Sequence, residues 1–340
     1  MKTLKSRFSN IELLRIISMF GVLIVHSDFG ALGWPTQTEL ISSPFYTITR
    51  TFIESLSIVA VNIFILISGW FGINFRWSSL AKLLFQCAFF FFGIYIIGRI
   101  LGIVHIGFLK GIYMCLMMSE NAWFVKCYIG MFIFAPIMNN FIEYSSQKQI
   151  KIFLISFFLF QTIYGWISNG ASFIKDGYST FSFMGLYILA RYVHLYKPSW
   201  SNLSISKDII IYITLSTISA IGLISFTYLN NPYSYIFTKY SSPLIIGAAL
   251  FLLLAFSKFS FNNKFINWIA SSCFAVYLFH FIIFPQYMSP WIRSIAVQHD
   301  GIDMVCLILL LLVTFYIAAI GIDKIRIIIW KSIFAKYFNR

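Results

Sequence analysis

Along the chain, long apolar runs alternate with short polar or Gly/Pro-containing breaks. The runs fall at about 10–29, 52–73, 80–104, 121–141, 151–167, 180–196, 208–229, 241–257, 266–287 and 302–322. Each is close to the roughly 20 residues a helix needs to cross the hydrocarbon of a bilayer. The pattern therefore predicts an all-α fold, a polytopic membrane helix bundle of about ten transmembrane helices forming a single domain over 1–340. The segments at 105–120 and 168–179 fit least well, and the first, GFLKGIYMCLMM at its centre, reads as a re-entrant or interfacial piece.

Composition supports this reading. The chain is 59% hydrophobic and 11% charged, with 39 Phe and a mean hydropathy of +0.83, whereas soluble domains are roughly 45–50% apolar and 25% charged. An ordinary soluble protein is excluded. The net charge of +14 does not imply nucleic acid as a partner, because the cations are scattered through short loops between apolar runs. Their distribution sets orientation instead. With the N terminus in the cytoplasm, only Arg50, Lys110, Lys175, Lys239 and Arg293 fall outside. Arg15, Arg99, Lys126 and Arg191 lie within helices, and the other sixteen of the 25 Lys and Arg fall inside. This positive-inside bias predicts both termini in the cytoplasm. Lys2, Lys5 and Arg7 before an apolar run superficially resemble a signal peptide. The run itself carries Glu12, Arg15 and His26 and no small-residue cleavage site, so it is expected to remain as the first helix. The five cysteines show no metal or CxxC spacing and read as small apolar packing residues.

Ionisable side chains inside spanning helices are costly and mark functional positions by default. Arg15 and His26 stand about three helical turns, roughly 16 Å of rise, apart on one face of the first helix. The alternative for Arg15 is a snorkelling residue paired with Glu12, and for His26 a hydrogen-bonded structural histidine. The second helix runs back the other way. It brings Glu54 to the depth of His26, Asn62 to mid-membrane, and Ser68 and Gly69 to the depth of Arg15. Glu54 there can orient the imidazole or pair with Arg50, Asn62 can join helices, and the Ser-Gly pair admits a ligand or a neighbouring backbone. Depth sorts the remainder into an inner set with Arg76 and Arg191 and an outer set with Arg99, Lys126 and His280. His105, His194 and His299 receive no role, and no grouping has metal-ligand spacing.

These segments resemble the integral membrane acyltransferase 3 family, which O-acylates bacterial surface polysaccharides. The resemblance rests on Arg15, ten residues, His26, preceded by Asn10, Glu12, Leu13 and Leu14. It is supported by VNIFILISGW at Val61 to Trp70, by Trp123, Phe124, Tyr128 and Pro136, and by SSCFAVYLFH with Tyr277, Leu278 and His280. The family commonly has Asp where Glu12 stands, and an Arg pair near the start of the third helix where this chain offers Arg76 and Lys82.

The resemblance implies a multi-pass enzyme of the bacterial inner membrane, its partners being acyl-CoA, the lipid bilayer and an extracytoplasmic sugar. The donor is cytoplasmic acyl-CoA, acetyl-CoA foremost, and the acceptor a hydroxyl of a surface polysaccharide or lipid-linked sugar, with no metal. Arg15, Ser68, Gly69, Arg76 and Arg191 are expected on the donor side, and Trp123, Lys126, Tyr277 and His280 around the acceptor. His26 is expected to act as general base or transient acyl carrier, with Glu54 beside it. A transporter or flippase of an envelope glycan precursor fits the composition equally, since buried charges also build transport pathways.

Overall fold

The computed structural model describes residues 8–102, 104–118, 122–168, 171–283 and 288–333, and these contain helices and no strand. Lys2, Lys5, Arg7, Lys336 and Arg340, counted above among the inner cations, lie outside the described residues. The first helix, α1 (Ser9–Val25), continues as a π-helical turn at His26–Leu32. A short α2 (Gln37–Ser42) opens with a Thr36–Glu39 capping box and leads to α3 (Pro44–Ser57) and, after a turn at Ile58 and Val59, α4 (Ala60–Phe71). Then come α5 (Trp77–Ile100), short α6 (Phe108–Cys115), α7 (Trp123–Tyr144) and α8 (Gln147–Phe160), the last continued by a π-helical stretch at Gln161–Ile167. The remainder is α9 (Thr180–Tyr196), α10 (Ile205–Tyr228), α11 (Pro243–Ser257), the broken pair α12 (Lys264–Ala270) and α13 (Cys273–Ile283), α14 (Ser289–Gln298) and α15 (Gly301–Ile333).

Among the described residues, 8 helical stretches are long and apolar enough to cross a membrane. The 17-residue α9 and the α12–α13 pair supply the other two of the ten anticipated runs. Two boundaries differ from the hydropathy reading for a common reason, namely polar side chains satisfied within the bundle. The second span starts at Pro44, where a proline's missing N–H costs nothing. Its polar Thr47 and Thr51 donate back to the carbonyls of Ser43 and Thr47 at 3.0 and 2.7 Å, hiding their hydroxyls. In α15, Asp323 accepts from Arg326 at 2.9 Å and from Gln86 of α5 at 3.1 Å, so the helix runs on past 322. The segment read as re-entrant or interfacial forms α6, a short helix against α5 with Phe108 and Leu109 exposed.

The span containing α4 is 67% buried and that containing α11 61%, against 22% for α10 and 28% for α15. The first two therefore form the centre, while α10 and α15 present Ile221, Leu310, Ile317 and Ile328 outward as a lipid-facing surface. Helix α1 packs among α3, α4, α11, α12 and α13. Its start is anchored by Asn10, whose amide donates to the carbonyls of Phe256 and Phe259 at 2.9 and 2.8 Å, and by Ser9, which donates to Asn267 at 2.9 Å. Asn10 thus binds carbonyls at and just beyond the end of α11 and holds α1 at the middle of the bundle.

Candidate active site

The face of α1 that carries Arg15 and His26 opens onto a cavity of about 320 Å³, also lined by Ser68, Gln86, Tyr128, Tyr277 and His280. A second cavity, about 670 Å³, lies on the far side of His26 and is lined by Glu54, Trp34, Trp123, Asp176, Tyr178, Lys239 and Tyr240. Val25, His26, Ile58, Trp123 and Tyr240 belong to both. His26 therefore stands in the wall between two spaces, one extending towards Arg15 and the other towards the 176 and 239 loops.

His26 sits where α1 changes to π-helical winding, a distortion that often accompanies functional sites. The turn is pinned two residues on: Arg50 Nε donates to Asp28 Oδ1 at 2.7 Å, and Arg50 also bonds the carbonyl of Gly33. Arg50 is therefore the partner of Asp28, and the alternative pairing of Glu54 with Arg50 is not formed. Glu54 is 1% exposed, and neither of its carboxylate oxygens has a hydrogen-bond partner among the described residues. A buried carboxyl group without a partner is costly, and this one lines the second cavity.

The His280 ring lies 4.7 Å from that of His26, centroid to centroid. His280 Nδ1 is 2.7 Å from the carbonyl oxygen of Tyr277. A carbonyl only accepts, so this contact assigns the proton to Nδ1 and leaves Nε2 an acceptor in the neutral ring. Tyr277 packs against Phe124 at 5.1 Å, and Trp123 against Tyr240 at 5.8 Å, closing the cavities with aromatic rings. Asn62 donates to the carbonyl of Tyr240 at 3.0 Å and so ties α4 to the residue between the cavities.

The anticipated donor-side residues are divided by the fold. Arg15 lines the first cavity and also makes the 3.7 Å ion pair with Glu12. Ser68 lines it too, donating to Phe64 O at 2.9 Å with the Tyr128 hydroxyl at 3.3 Å. Gly69 points elsewhere: a Cβ there would stand 2.2 Å from the carbonyl oxygen of Tyr187, so it serves the close approach of α4 to α9. Arg191 lines a separate cleft with Gly72, Asn139 and Glu143 and donates to Trp70 O at 3.2 Å. Arg76 is exposed at the start of α5. Of the residues expected around the acceptor, Trp123 lines both cavities and Tyr277 and His280 only the first, whereas Lys126 lines neither and is exposed on α7. Arg99, placed by depth in the same set, is exposed and bonds Ile106 O at 3.3 Å.

Sequence reasoning passed over Asp28, Gln86, Asp176, Tyr178, Lys239 and Tyr240. Asp28 follows His26 by two residues and had that much signal, while Lys239 was counted only as a loop cation. Among the described residues no group of three or more His, Cys, Asp or Glu stands close enough to hold a metal ion.

A family profile described as an acyltransferase domain matches residues 8–324. No curated protein and no solved structure matches the chain. The profile match runs from the start of α1 into α15 and takes in every residue of both cavities, so the chain belongs to the acyltransferase 3 family and is a membrane acyltransferase.

Proposed function

We propose that the protein moves an acyl group, acetyl foremost, from cytoplasmic acyl-CoA to a hydroxyl of an extracytoplasmic sugar or surface polysaccharide at a bacterial inner membrane. The observation that carries this reading is the position of His26 as a wall common to two cavities. The cation bias orients the Arg15 end of α1 towards the cytoplasm. The first cavity then receives the donor, with Arg15 at its mouth offering a planar guanidinium to an anionic part of CoA. The second receives the acceptor.

In the reaction, the acceptor hydroxyl oxygen attacks the thioester carbonyl carbon while His26 takes the hydroxyl proton. The carbon–sulfur bond breaks, and the departing thiolate recovers that proton from the imidazolium. The products are the sugar ester and free CoA. Glu54 stabilises the charged imidazolium from the acceptor side, which gives a role to a buried carboxyl that has no hydrogen-bond partner among the described residues. Transient acylation of His26 would use the same two spaces in succession. Mass spectrometry of surface polysaccharide from cells with and without the protein tests the proposal: O-acyl groups present only with the protein are expected. Identical acylation in both would overturn it.

A further inference from the structure

The second cavity contains an ion pair that the reaction above does not use. Lys239 is 5% exposed and its Nζ lies 2.8 Å from Asp176 Oδ1, while the Asp176 side chain remains 30% exposed. The two come from different loops, joined also by the Ser241 N–H donating to Asp176 O at 3.0 Å. Lys175, Asp176 and Gly177 are consecutive left-handed residues, with φ of 46°, 57° and 97°. Two of them are non-glycine, and such strain persists only where surroundings impose it. A Cβ on Gly177 would stand 2.6 Å from that of Tyr240, so the turn is pressed onto the aromatic wall. Beside the pair, Trp123, Tyr178 and Tyr240 form one cluster, with centroids 4.3 Å apart for Trp123–Tyr178 and 4.9 Å for Tyr178–Tyr240. Trp34 stands half-exposed on the same cavity.

We propose that this part of the cavity is a carbohydrate subsite, in which Asp176 accepts hydrogen bonds from sugar hydroxyls, Lys239 holds its carboxylate in place, and the aromatic rings receive the apolar face of the pyranose. A sugar ring offers vicinal O–H donors at its edge and C–H groups on its face. A fixed carboxylate beside aromatic surface complements both, in the manner of pockets whose few polar groups set orientation. The paired lysine keeps the subsite near neutrality, which suits an uncharged sugar. The proposal rests on reading the second cavity as the acceptor side, and it names residues for recognition, separate from those for transfer.

The test is calorimetric titration of the purified protein with de-O-acylated oligosaccharide released from the surface polysaccharide of the producing cells. Acetyl-CoA is titrated into the same preparations. The double variant Asp176→Asn, Lys239→Gln leaves no buried charge unpaired. It should bind the oligosaccharide roughly 10- to 100-fold more weakly, as expected for loss of charge-assisted hydrogen bonds, and bind acetyl-CoA normally. Trp34→Ala, at an exposed position, should weaken sugar binding several-fold and serves if the double variant does not fold. Unchanged oligosaccharide affinity in folded variants, or no binding by the natural protein, overturns the subsite. Sugar binding that depends on Asp176, in a protein that transfers no acetyl group, would sustain the subsite and remove the acetyl-transfer reading instead.

Discussion

Ser68 and Gly69 are neighbours with opposite duties. Successive residues on a helix are about 100° apart, so when Ser68 faces the first cavity Gly69 faces α9, where Tyr187 O leaves no room for a methyl group. Gly69→Ala should therefore cost about 1–3 kcal/mol or more through overpacking against rigid backbone. The loss should appear as a lower Tm of detergent-extracted protein, with acyl-CoA affinity unchanged in the fraction that stays folded. Arg15→Ala, by contrast, should weaken acyl-CoA binding strongly in calorimetry of the protein that stays folded. Arg15→Lys should restore only part of the affinity, because a point ammonium lacks the guanidinium fork. Unchanged affinity in folded Arg15→Ala protein would remove Arg15 from the donor site. At this scale the sequence exposes depth but hides azimuth. Depth in the sequence puts Arg15, Ser68 and Arg191 in one inner set, yet Arg191 on α9 lines a different cleft.

The π-helical turn at His26–Leu32 is the element on which the proposed chemistry depends, and the Asp28–Arg50 pair keeps it in shape. Neither Asp28 nor Arg50 lines the cavities described above. Asp28→Asn, which keeps the size and loses the charge, should misplace His26 rather than remove it. Small misplacements of a reacting group are costly in rate. Turnover should thus fall roughly tenfold or more while KM for acyl-CoA stays within about twofold, and Asp28→Glu should recover part of the loss. A purely structural role would instead lower folded yield and turnover together. Hydropathy cannot reveal such winding, since π and α turns use the same apolar residues. It likewise misses the break between α12 and α13 at Ser271 and Ser272, and the early start of α3, where threonines turn their hydroxyls back onto the helix.

For the whole molecule, apolar run length foretold most of the architecture, because a bilayer constrains helix length more tightly than water does. Which helices stand together was less legible: packing around α1 is decided by contacts such as Asn10 with α11, far apart in sequence. The two-sided account requires the end of α2 at Ser42, which is exposed, to face away from the cytoplasm. A single cysteine at Ser42, in a variant lacking the natural cysteines, should react with an impermeant maleimide in intact cells. Labelling only after the inner face is opened would reverse the donor and acceptor sides. The central claim is that His26, between the cavities, performs the transfer. Its most direct measurement is acyl groups placed on polysaccharide per folded molecule of His26→Gln, with monodisperse detergent-extracted protein as the measure of folding. The account predicts a well-folded variant whose transfer is lower by roughly 10² to 10⁴, the usual contribution of a general base. Transfer at the natural level by that folded protein would contradict it.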